Sequence, residues 1–190
     1  ETGAQVSWTA LDNADSYSLY QMAEGDEEWS FVKTVTETSC HSKALESGKK
    51  YFFTVKAHSE GYLAETSAEP KELVFLGSPD DVYAAISDEA ITLTWDEVNG
   101  AESYNVYKKN ASDESYAFIE NITDVEFIDE DVINGELYNY YIQSVNSVTE
   151  SVIGDNCTTV KKLAVTKNVT TELGKNCVIV KWDAVDFADG

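Results

Sequence analysis

Arginine is absent from this sequence of 190 residues, and all 13 basic residues are lysines. They are opposed by 35 acidic residues, so that the net charge at pH 7 is −22. The guanidinium group of arginine recognises phosphate and guanine through two parallel hydrogen bonds. In addition, a strongly negative chain is repelled by nucleic acids and by anionic membranes. We therefore expect no nucleic-acid partner, and we interpret the acidic residues as a solvated surface rather than a site for cationic partners.

Long apolar runs are absent too. No stretch approaches the roughly 20 residues that a membrane-spanning helix needs, and the N-terminus does not read as a signal peptide. The first three residues, Glu1, Thr2 and Gly3, resemble the remnant of a secretion vector. We expect no direct membrane insertion and an extracellular location, either secreted or anchored to a cell surface through regions outside this chain.

Histidine is scarce, with His41 and His58 as the two examples. No serine or cysteine lies in a recognisable nucleophile motif, so the sequence has almost no residues that could form a hydrolytic triad. We expect both histidines on exposed strand faces. We also expect that the chain is not an enzyme and that it holds no cofactor.

The three cysteines cannot all pair within one chain, and their spacing fits neither a zinc motif nor a disulfide framework. They are Cys40, Cys157 and Cys177. In the repeat described next, Cys40 aligns with Phe127, which predicts a small buried core residue at that position.

A repeat organises the chain. Trp8, Trp95 and Trp182 are 87 residues apart, since 95 − 8 and 182 − 95 both equal 87. The fullest copy of the surrounding motif is ITLTWDEVNGAESYNVY, from Ile91 to Tyr107. A regular spacing of this length indicates a tandem array. We predict three segments: residues 1–77 as a repeat that lacks its first strand, 78–161 as a complete repeat, and 162–190 as the first two strands of a third.

Short segments with alternating polarity fill each repeat. In one of them, Tyr51, Phe53, Val55 and Ala57 place apolar side chains on the same face of a predicted strand. About seven such segments occur in each complete repeat, with turn signals between them and no helical period. The pattern predicts an all-β fold made of tandem two-sheet sandwiches with seven strands each. It also places Phe118–Ile119 in the core of the second repeat.

A tyrosine follows a corner glycine by three residues in both large repeats, at Gly48 and Tyr51 and again at Gly135 and Tyr138. This spacing, at the start of the sixth strand, predicts a tyrosine corner, in which the phenol hydroxyl pins the crossing between the two sheets.

The complete repeat resembles the fibronectin type III repeat in the order and spacing of its motifs. The match covers residues 79–161, the first repeat except its first strand, and the opening of the third. The repeat is similar to those of bacterial surface or secreted proteins in its acidic composition, its few prolines and its sequence motif WDxVxGAxSYxVY. The resemblance implies immunoglobulin-like sandwiches that bind partners or act as spacers. The family's integrin-binding tripeptide Arg-Gly-Asp cannot occur here, because the sequence has no arginine. The motifs are Pro79–Val82, Ile91–Trp95, Tyr104–Tyr107 and Gly135–Ile142.

The two incomplete repeats have two interpretations, because neither can bury a full core alone. In the first, the chain is a fragment of a longer array. In the second, the segment Leu163–Val165, expected to be the first strand of the third repeat, fills the empty edge of the first repeat in another molecule. We expect a monomer, with this head-to-tail strand exchange as the alternative.

One acidic cluster is a candidate calcium site. Asp124, Asp129, Glu130 and Asp131 fall near one corner of the second repeat. The asparagine and glycine that follow come one position too late for a calcium loop. We therefore interpret the cluster as solvated charge and predict no metal site.

Two groups of residues are candidates for binding a partner. Trp29 and Tyr116 are repeat-equivalent and lie beside Tyr20 and Tyr107, at predicted outward positions of the neighbouring strand. Such rings stack on sugars or anchor a protein partner, and the alternative is that they only cover the sheet as cross-strand pairs.

The second group is the loop Gly61, Tyr62 and Leu63, whose counterpart, Ser147–Thr149, is not aromatic. Loops at the ends of a sandwich are common recognition sites. The difference favours the first repeat as the binding unit.

Four Asn-x-Ser/Thr sequons are possible glycosylation sites if the protein is made in a eukaryote. Asn110 is the favoured one because its segment is predicted to be an exposed loop. The sequons begin at Asn110, Asn121, Asn156 and Asn168.

Two functions fit these features. The first is a non-catalytic binding, adhesion or spacer segment of a larger cell-surface protein, in contact with a protein or glycan on a host or neighbouring cell. The alternative is an accessory spacer or carbohydrate-associated module of a secreted polysaccharide-degrading enzyme.

Overall fold

The computed structural model describes residues 3–60, 62–63, 68–152 and 157–188, with only the backbone described for Tyr62 and Leu63. Every regular element in these ranges is a β-strand. The chain divides into two compact units at the boundary between Gly77 and Ser78, and the short segments 98–101 and 145–151 group with the first unit.

The first unit contains two antiparallel sheets. One pairs β1 with β4, and the other has the order β3-β2-β5-β6, with β7 also paired to β5. Alternating polarity explains the strands, because each presents one apolar face to the space between the sheets. The strands are β1 (Gln5–Ser7), β2 (Ser16–Ala23), β3 (Ser30–Val35), β4 (Ser39–His41), β5 (Lys49–Ser59), β6 (Tyr62–Leu63) and β7 (Lys71–Phe75).

The core of the first unit joins both sheets. Leu19 of β2, Cys40 of β4 and Phe53 of β5 are buried in one cluster, against which Val6 and Trp8 are partly buried. The prediction that Cys40 is a core residue is confirmed. Burial raises the pKa of its thiol above the usual value.

The second unit contains a three-stranded sheet, β12-β9-β8, and a four-stranded sheet, β11-β10-β13-β14. A separate two-stranded ladder pairs β15 with β16. The strands are β8 (Val82–Ile86), β9 (Ile91–Trp95), β10 (Ser103–Asn110), β11 (Ala117–Ile122), β12 (Glu126–Asp129), β13 (Leu137–Val145), β14 (Thr158–Lys161), β15 (Thr170–Leu173) and β16 (Val178–Lys181).

The core of the second unit follows the predicted alternation. Ile91, Leu93 and Trp95 of β9 are buried, and the ring of Trp95 lies 5.4 Å from that of Tyr104, centroid to centroid. The equivalent rings of the first unit, Trp8 and Tyr17, are 5.6 Å apart. The shared packing shows that the repeat preserves the core, and the prediction of tandem all-β sandwiches is confirmed.

Both predicted tyrosine corners are present. The hydroxyl of Tyr51 accepts the amide of Glu46 at 3.0 Å, and that of Tyr138 accepts the amide of Ile133 at 2.8 Å. Each tyrosine therefore bonds the backbone five residues upstream, and each pins the entry to a long central strand.

Two sequence-based assignments in the second unit are wrong. Phe118 and Ile119 were expected in the core, but they are 55% and 43% exposed on the edge strand β11. Leu163–Val165 was expected to be a strand, but these residues form none, and the strand that precedes β16 is β15. Leu163–Val165 was assigned as a strand because its residues are apolar. The 87-residue repeat instead places the equivalent of β8 at residues 169–173, where β15 lies.

Lys162 attaches the segment that follows β14. Its side chain is 1% exposed, and Nζ donates to the carbonyl oxygens of Ser87 at 2.8 Å and Asp88 at 3.2 Å and to Oδ1 of Asn134 at 3.2 Å. The Asp88 carboxylate in turn accepts the amide of Val165, and this hydrogen bond is the main reason that the pKa of Asp88 is lowered.

Candidate functional site

The outward face of the larger sheet in the first unit carries an aromatic cluster. A β-bulge between Leu19 and Tyr20 shifts the register of β2 against β3, so that Tyr20 lies opposite Phe31. The two rings meet edge to face, with centroids 5.7 Å apart and planes at 65°. Leu19 points the other way, into the core, because successive side chains of a strand alternate.

Two further rings extend this cluster. Trp29 lies immediately before β3, two residues from Phe31, and the two side chains are 37% and 50% exposed. Phe52 of β5 pairs with Met22 of β2, next to the pairing of Tyr20 with Thr54. We call Tyr20, Trp29, Phe31 and Phe52 the aromatic face of the first unit.

A basic side chain borders the aromatic face. Lys50 Nζ lies 5.7 Å from the centroid of the Phe52 ring, within the range of a cation–π contact. The same ammonium is 3.3 Å from a carboxylate oxygen of Glu72 and 3.9 Å from one of Glu24. All three charged side chains are at least partly exposed, so they form a polar rim to the apolar rings.

The equivalent face of the second unit is more enclosed. Tyr107 meets Phe118 edge to face at 5.7 Å, as Tyr20 meets Phe31 in the first unit. However, Tyr107 and Tyr116 also pack on Tyr141, at 5.8 Å and 6.4 Å between centroids. Tyr141 is 1% exposed, and its hydroxyl donates to the carbonyl of Val152 at 2.9 Å. Several rings of this face are therefore used in internal packing.

Tyr116 is one of the rings used internally. Its hydroxyl donates to Sγ of Cys157 at 3.0 Å, and Lys109 Nζ lies 5.3 Å from its ring centroid. Burial, followed by the hydrogen bond to Cys157, raises the pKa of Tyr116 to about 12. The sequence prediction treated Tyr116 and Trp29 as equal candidates, and the structure places them in different surroundings.

Amide side chains occupy the rest of this face. Asn105 Nδ2 donates to Gln143 Oε1 at 3.1 Å, the Tyr107 hydroxyl donates to the same oxygen at 3.1 Å, and Asn121 Nδ2 donates to Asn105 Oδ1 at 2.8 Å. These groups satisfy one another. At the repeat-equivalent positions the first unit is also polar, with Ser18, Thr34 and Lys56.

The loop candidate is described only in part. Tyr62 and Leu63 form β6 and pair with Ser59 and His58 of β5, which places this strand on the sheet that carries the aromatic face. Gly61 lies outside the described residues. The proposed role of these three residues in binding stays a prediction.

Sequence reasoning missed Phe31 as a surface residue. The signal was available, because Phe31 and Phe118 are 87 residues apart and each lies two positions after a predicted surface ring. The sequence of this short segment does not by itself separate the two faces of the strand.

The acidic cluster contains a buried ion pair. Asp129 Oδ2 lies 2.8 Å from Lys108 Nζ and accepts the hydroxyl of Tyr140 at 2.5 Å. The interpretation of Asp129 as solvated charge is therefore wrong, although Asp124, Glu130 and Asp131 are exposed. No group of three acidic, histidine or cysteine side chains in the described part of the chain is arranged to hold a metal ion.

One histidine departs from its prediction. His41 is exposed, whereas His58 is half-buried, with Nε2 2.6 Å from Oγ of Ser18. Ser18 is 2% exposed, and its Oγ also lies 2.7 Å from Oγ1 of Thr34. Because the serine is enclosed and shared between two partners, this Ser–His pair joins three strands and has no access to a substrate.

Three sequons can be placed. Asn110 ends β10 and is half-buried, in contrast to the exposed loop that was predicted. Asn121 is exposed, but its side-chain nitrogen is engaged by Asn105, and Nδ2 of Asn168 donates to Asp183 at 2.6 Å. Asn156 lies outside the described residues, and glycosylation at all four stays a prediction.

No protein-family model matches the sequence. Among solved structures, a segment of two fibronectin type III domains from chicken tenascin is similar over 85% of this chain and 93% of that chain, with 19% sequence identity and a TM-score of 0.43. A crystal structure of the FN1–FN3 domains of chicken CNTN1 is similar over 85% of this chain and 62% of that chain, with 15% identity and a TM-score of 0.39. The fold assignment follows from strand order and register and does not depend on these similarities.

No helix among the described residues is long and apolar enough to cross a membrane.

Proposed function

We propose that this chain is a non-catalytic extracellular segment of a larger surface or secreted protein, and that its first unit binds a protein through the aromatic face. The observation that carries the proposal is the contrast between the two units. Trp29 is 37% exposed, whereas its repeat equivalent, Tyr116, packs on Tyr141 and donates to Cys157. Phe31 and its equivalent Phe118 are exposed to a similar degree, at 50% and 55%. Exposed aromatic rings with a polar rim are typical anchors of protein interfaces.

The surroundings of the aromatic face favour a protein over a sugar. A glycan site combines a stacking ring with several polar groups that are available to hydroxyls. Near this face, Ser18 is bonded to both Thr34 and His58. The charged groups of the rim are also paired, because the Lys50 ammonium lies near the carboxylates of Glu24 and Glu72.

The low proline content, the absence of arginine and the acidic composition support a bacterial surface or secreted origin as part of the same proposal. The second unit then acts as a spacer, since its core is the more completely closed of the two. A polysaccharide-degrading enzyme that contains this segment is the competing function, and it requires a glycan as the ligand.

A parallel screen distinguishes the two functions. The whole chain is tested against a panel of cell-surface receptor ectodomains and against a glycan array. We expect a hit among the proteins that is weakened by Phe31→Ala and kept by the matched variant Phe118→Ala. Binding to glycans alone, or a protein hit that neither variant changes, contradicts the proposal.

A further inference from the structure

A lysine covers the aromatic ring of the second unit that corresponds to Trp29. This ring is Tyr116, and Lys109 Nζ lies 5.3 Å from its centroid, a distance typical of a cation–π contact. The two residues are cross-strand neighbours, because Lys108 pairs with Ala117 one position further along the ladder of β10 and β11. The second unit therefore holds a cation on this ring with a side chain of its own.

The first unit has a methionine in place of that lysine. Met22 corresponds to Lys109, since 109 − 22 equals 87, and it neighbours Trp29 one position beyond the pair Gln21 and Ser30. Among the described residues, no ammonium lies within cation–π distance of the Trp29 ring. Indole binds cations more strongly than a phenol ring does, and this indole is 37% exposed. The ring better suited to a cation is therefore the one for which the chain supplies none.

The turn that leads to Trp29 carries more negative charge than its counterpart. Residues 24–28 include four acidic side chains, whereas residues 111–115 include two. Glu28, directly before Trp29, is exposed, and its repeat equivalent is Ser115. Carboxylates close to an aromatic ring add to its attraction for a cation. The first unit therefore combines an uncovered indole with the more acidic of the two turns.

The aromatic face holds one ammonium between a ring and carboxylates. Lys50 Nζ lies 5.7 Å from the centroid of Phe52, 3.3 Å from a carboxylate oxygen of Glu72 and 3.9 Å from one of Glu24. This arrangement shows that the chemistry of the face suits a basic side chain. Because Lys50 is engaged by these groups, it leaves Trp29 to another cation.

We propose that Trp29, together with the carboxylates of the turn before it, binds a lysine or arginine side chain of the protein that docks on the aromatic face. The inference rests on the proposed function, because it names the chemistry of that protein partner. The comparison between the units carries it, since the second unit fills the same position with Lys109 and the first unit has Met22 and a more acidic turn. A cation that the chain supplies in one unit comes from the partner in the other.

The probe is N-acetyl-arginine amide, and the control is N-acetyl-citrulline amide, which has nearly the same shape and no charge. The whole chain, labelled with ¹⁵N, is titrated with each compound at constant ionic strength, and the indole N–H signal of Trp29 is followed by NMR. The variant Trp29→Phe identifies this signal among the four tryptophans. Because one exposed cation–π contact is weak, we expect a dissociation constant on the order of 0.1 M for the arginine probe and about threefold weaker binding of citrulline.

Variants test the position of the site. Met22→Lys copies Lys109 into the first unit and should weaken binding of the arginine probe about threefold or more, because the ring then holds a cation of its own. Thr36→Lys adds the same charge in the exposed turn at the opposite end of β3 and should weaken it less than about 1.5-fold, since salt screens distant charges. If Met22→Lys does not fold, the surface double variant Glu27→Gln and Glu28→Gln decides, with an expected loss of about twofold.

Three results would overturn the inference: equal binding of the two compounds, no saturable shift of the Trp29 signal, or equal losses for Met22→Lys and Thr36→Lys. Where the double variant replaces Met22→Lys, unchanged binding overturns it as well. The proposed function fails separately, when the receptor screen yields no protein whose binding depends on Phe31. The titration therefore tests the cation site whether or not a partner is found.

Discussion

The two units have the same fold but different side-chain chemistry at three equivalent positions. In the second unit the buried Asp129 contacts both Lys108 and Tyr140, with 2.8 Å between the ammonium and the carboxylate. At the repeat-equivalent positions the first unit has Gln21, Ser42 and Phe53, which carry no charge. Both units nevertheless keep the Trp–Tyr contact and the tyrosine corner, at nearly the same distances.

The difference shows which features the sandwich needs. Packing of the tryptophan and the corner hydrogen bond are present in both units, so they belong to the fold. Among the described residues, a buried ion pair is present in the second unit only, so the fold does not need it. Buried pairs cost desolvation and are replaceable by neutral groups of similar shape, although removal of one partner alone is costly.

The largest expected effect is at the shared tryptophan. Trp95→Ala should destabilise the second unit by about 3 to 5 kcal/mol, because a buried ring is removed and a cavity is left. Trp8→Ala should cost less, because Trp8 is only partly buried. Urea unfolding, combined with hydrogen exchange in β13 and β5, measures each unit separately. An equally stable Trp95→Ala variant would contradict the core assignment.

The next largest effect is a difference between the two units in the stability lost when one polar side chain is removed. Asp129→Ala should destabilise the second unit by about 3 kcal/mol, since Lys108 then keeps a buried charge without its partner. The equivalent change Ser42→Ala should cost the first unit about 1 kcal/mol, the value of an ordinary hydrogen bond. The same urea and hydrogen-exchange measurements apply, and equal losses in both units would remove the distinction.

A triple variant sharpens this test. Lys108→Gln, Asp129→Ser and Tyr140→Phe together copy the neutral set of the first unit into the second. Because no charge is left without a partner, the triple variant should be more stable than Asp129→Ala alone. If it is less stable, the ion pair has a role that its neutral counterpart does not reproduce.

The third prediction concerns alkaline pH. Burial, followed by the hydrogen bond to Asp129, raises the pKa of Tyr140 above its usual value of 10.0. Below pH 10 this tyrosine is neutral in both folded and unfolded chains, and its contribution to stability is complete. Above pH 10 it ionises first in the unfolded chain, so stability should fall by up to about 1.4 kcal/mol per pH unit.

Urea midpoints of the second unit between pH 9 and pH 11.5 measure this loss. Tyr140→Phe should flatten the decrease, because phenylalanine, the residue found at the equivalent position of the first unit, does not titrate. Parallel curves for the two proteins would show that Tyr140 is not the cause.

The smallest effect on stability is expected on the outward faces. Phe31→Ala and Phe118→Ala each remove a ring that is at least half exposed, so each should cost less than about 1 kcal/mol. The thermal midpoint checks this. A large loss in either variant would place the ring in the core and would make it unsuitable as a binding control.

Most of the scaffold was predictable because its signals are local or repeated. The tryptophan spacing located both sandwiches, and a glycine followed by a tyrosine located both corners. The ion pair was not predictable, since Lys108, Asp129 and Tyr140 come from three strands and each reads as a surface or generic residue alone. Phe118 was misplaced for a related reason: on an edge strand the apolar residues of both faces look alike in sequence.

The candidate site was predictable only in outline. Trp29 and Tyr20 were identified by comparing the repeats, and the structure adds Phe31 and Phe52 to the same face. The unequal surroundings of Tyr116 and Trp29 depend on Tyr141 and Cys157, which are distant in sequence from Tyr116. Only the strand pairing brings them together.

The most direct test of the proposed binding role is the dissociation constant of the protein partner found in the screen, measured for the unmodified chain, Phe31→Ala and Phe118→Ala. The account predicts a loss of affinity of about tenfold or more for Phe31→Ala, as expected for an aromatic anchor, and a change of less than about twofold for Phe118→Ala. Equal affinities for all three proteins, or a larger loss for Phe118→Ala, would contradict it.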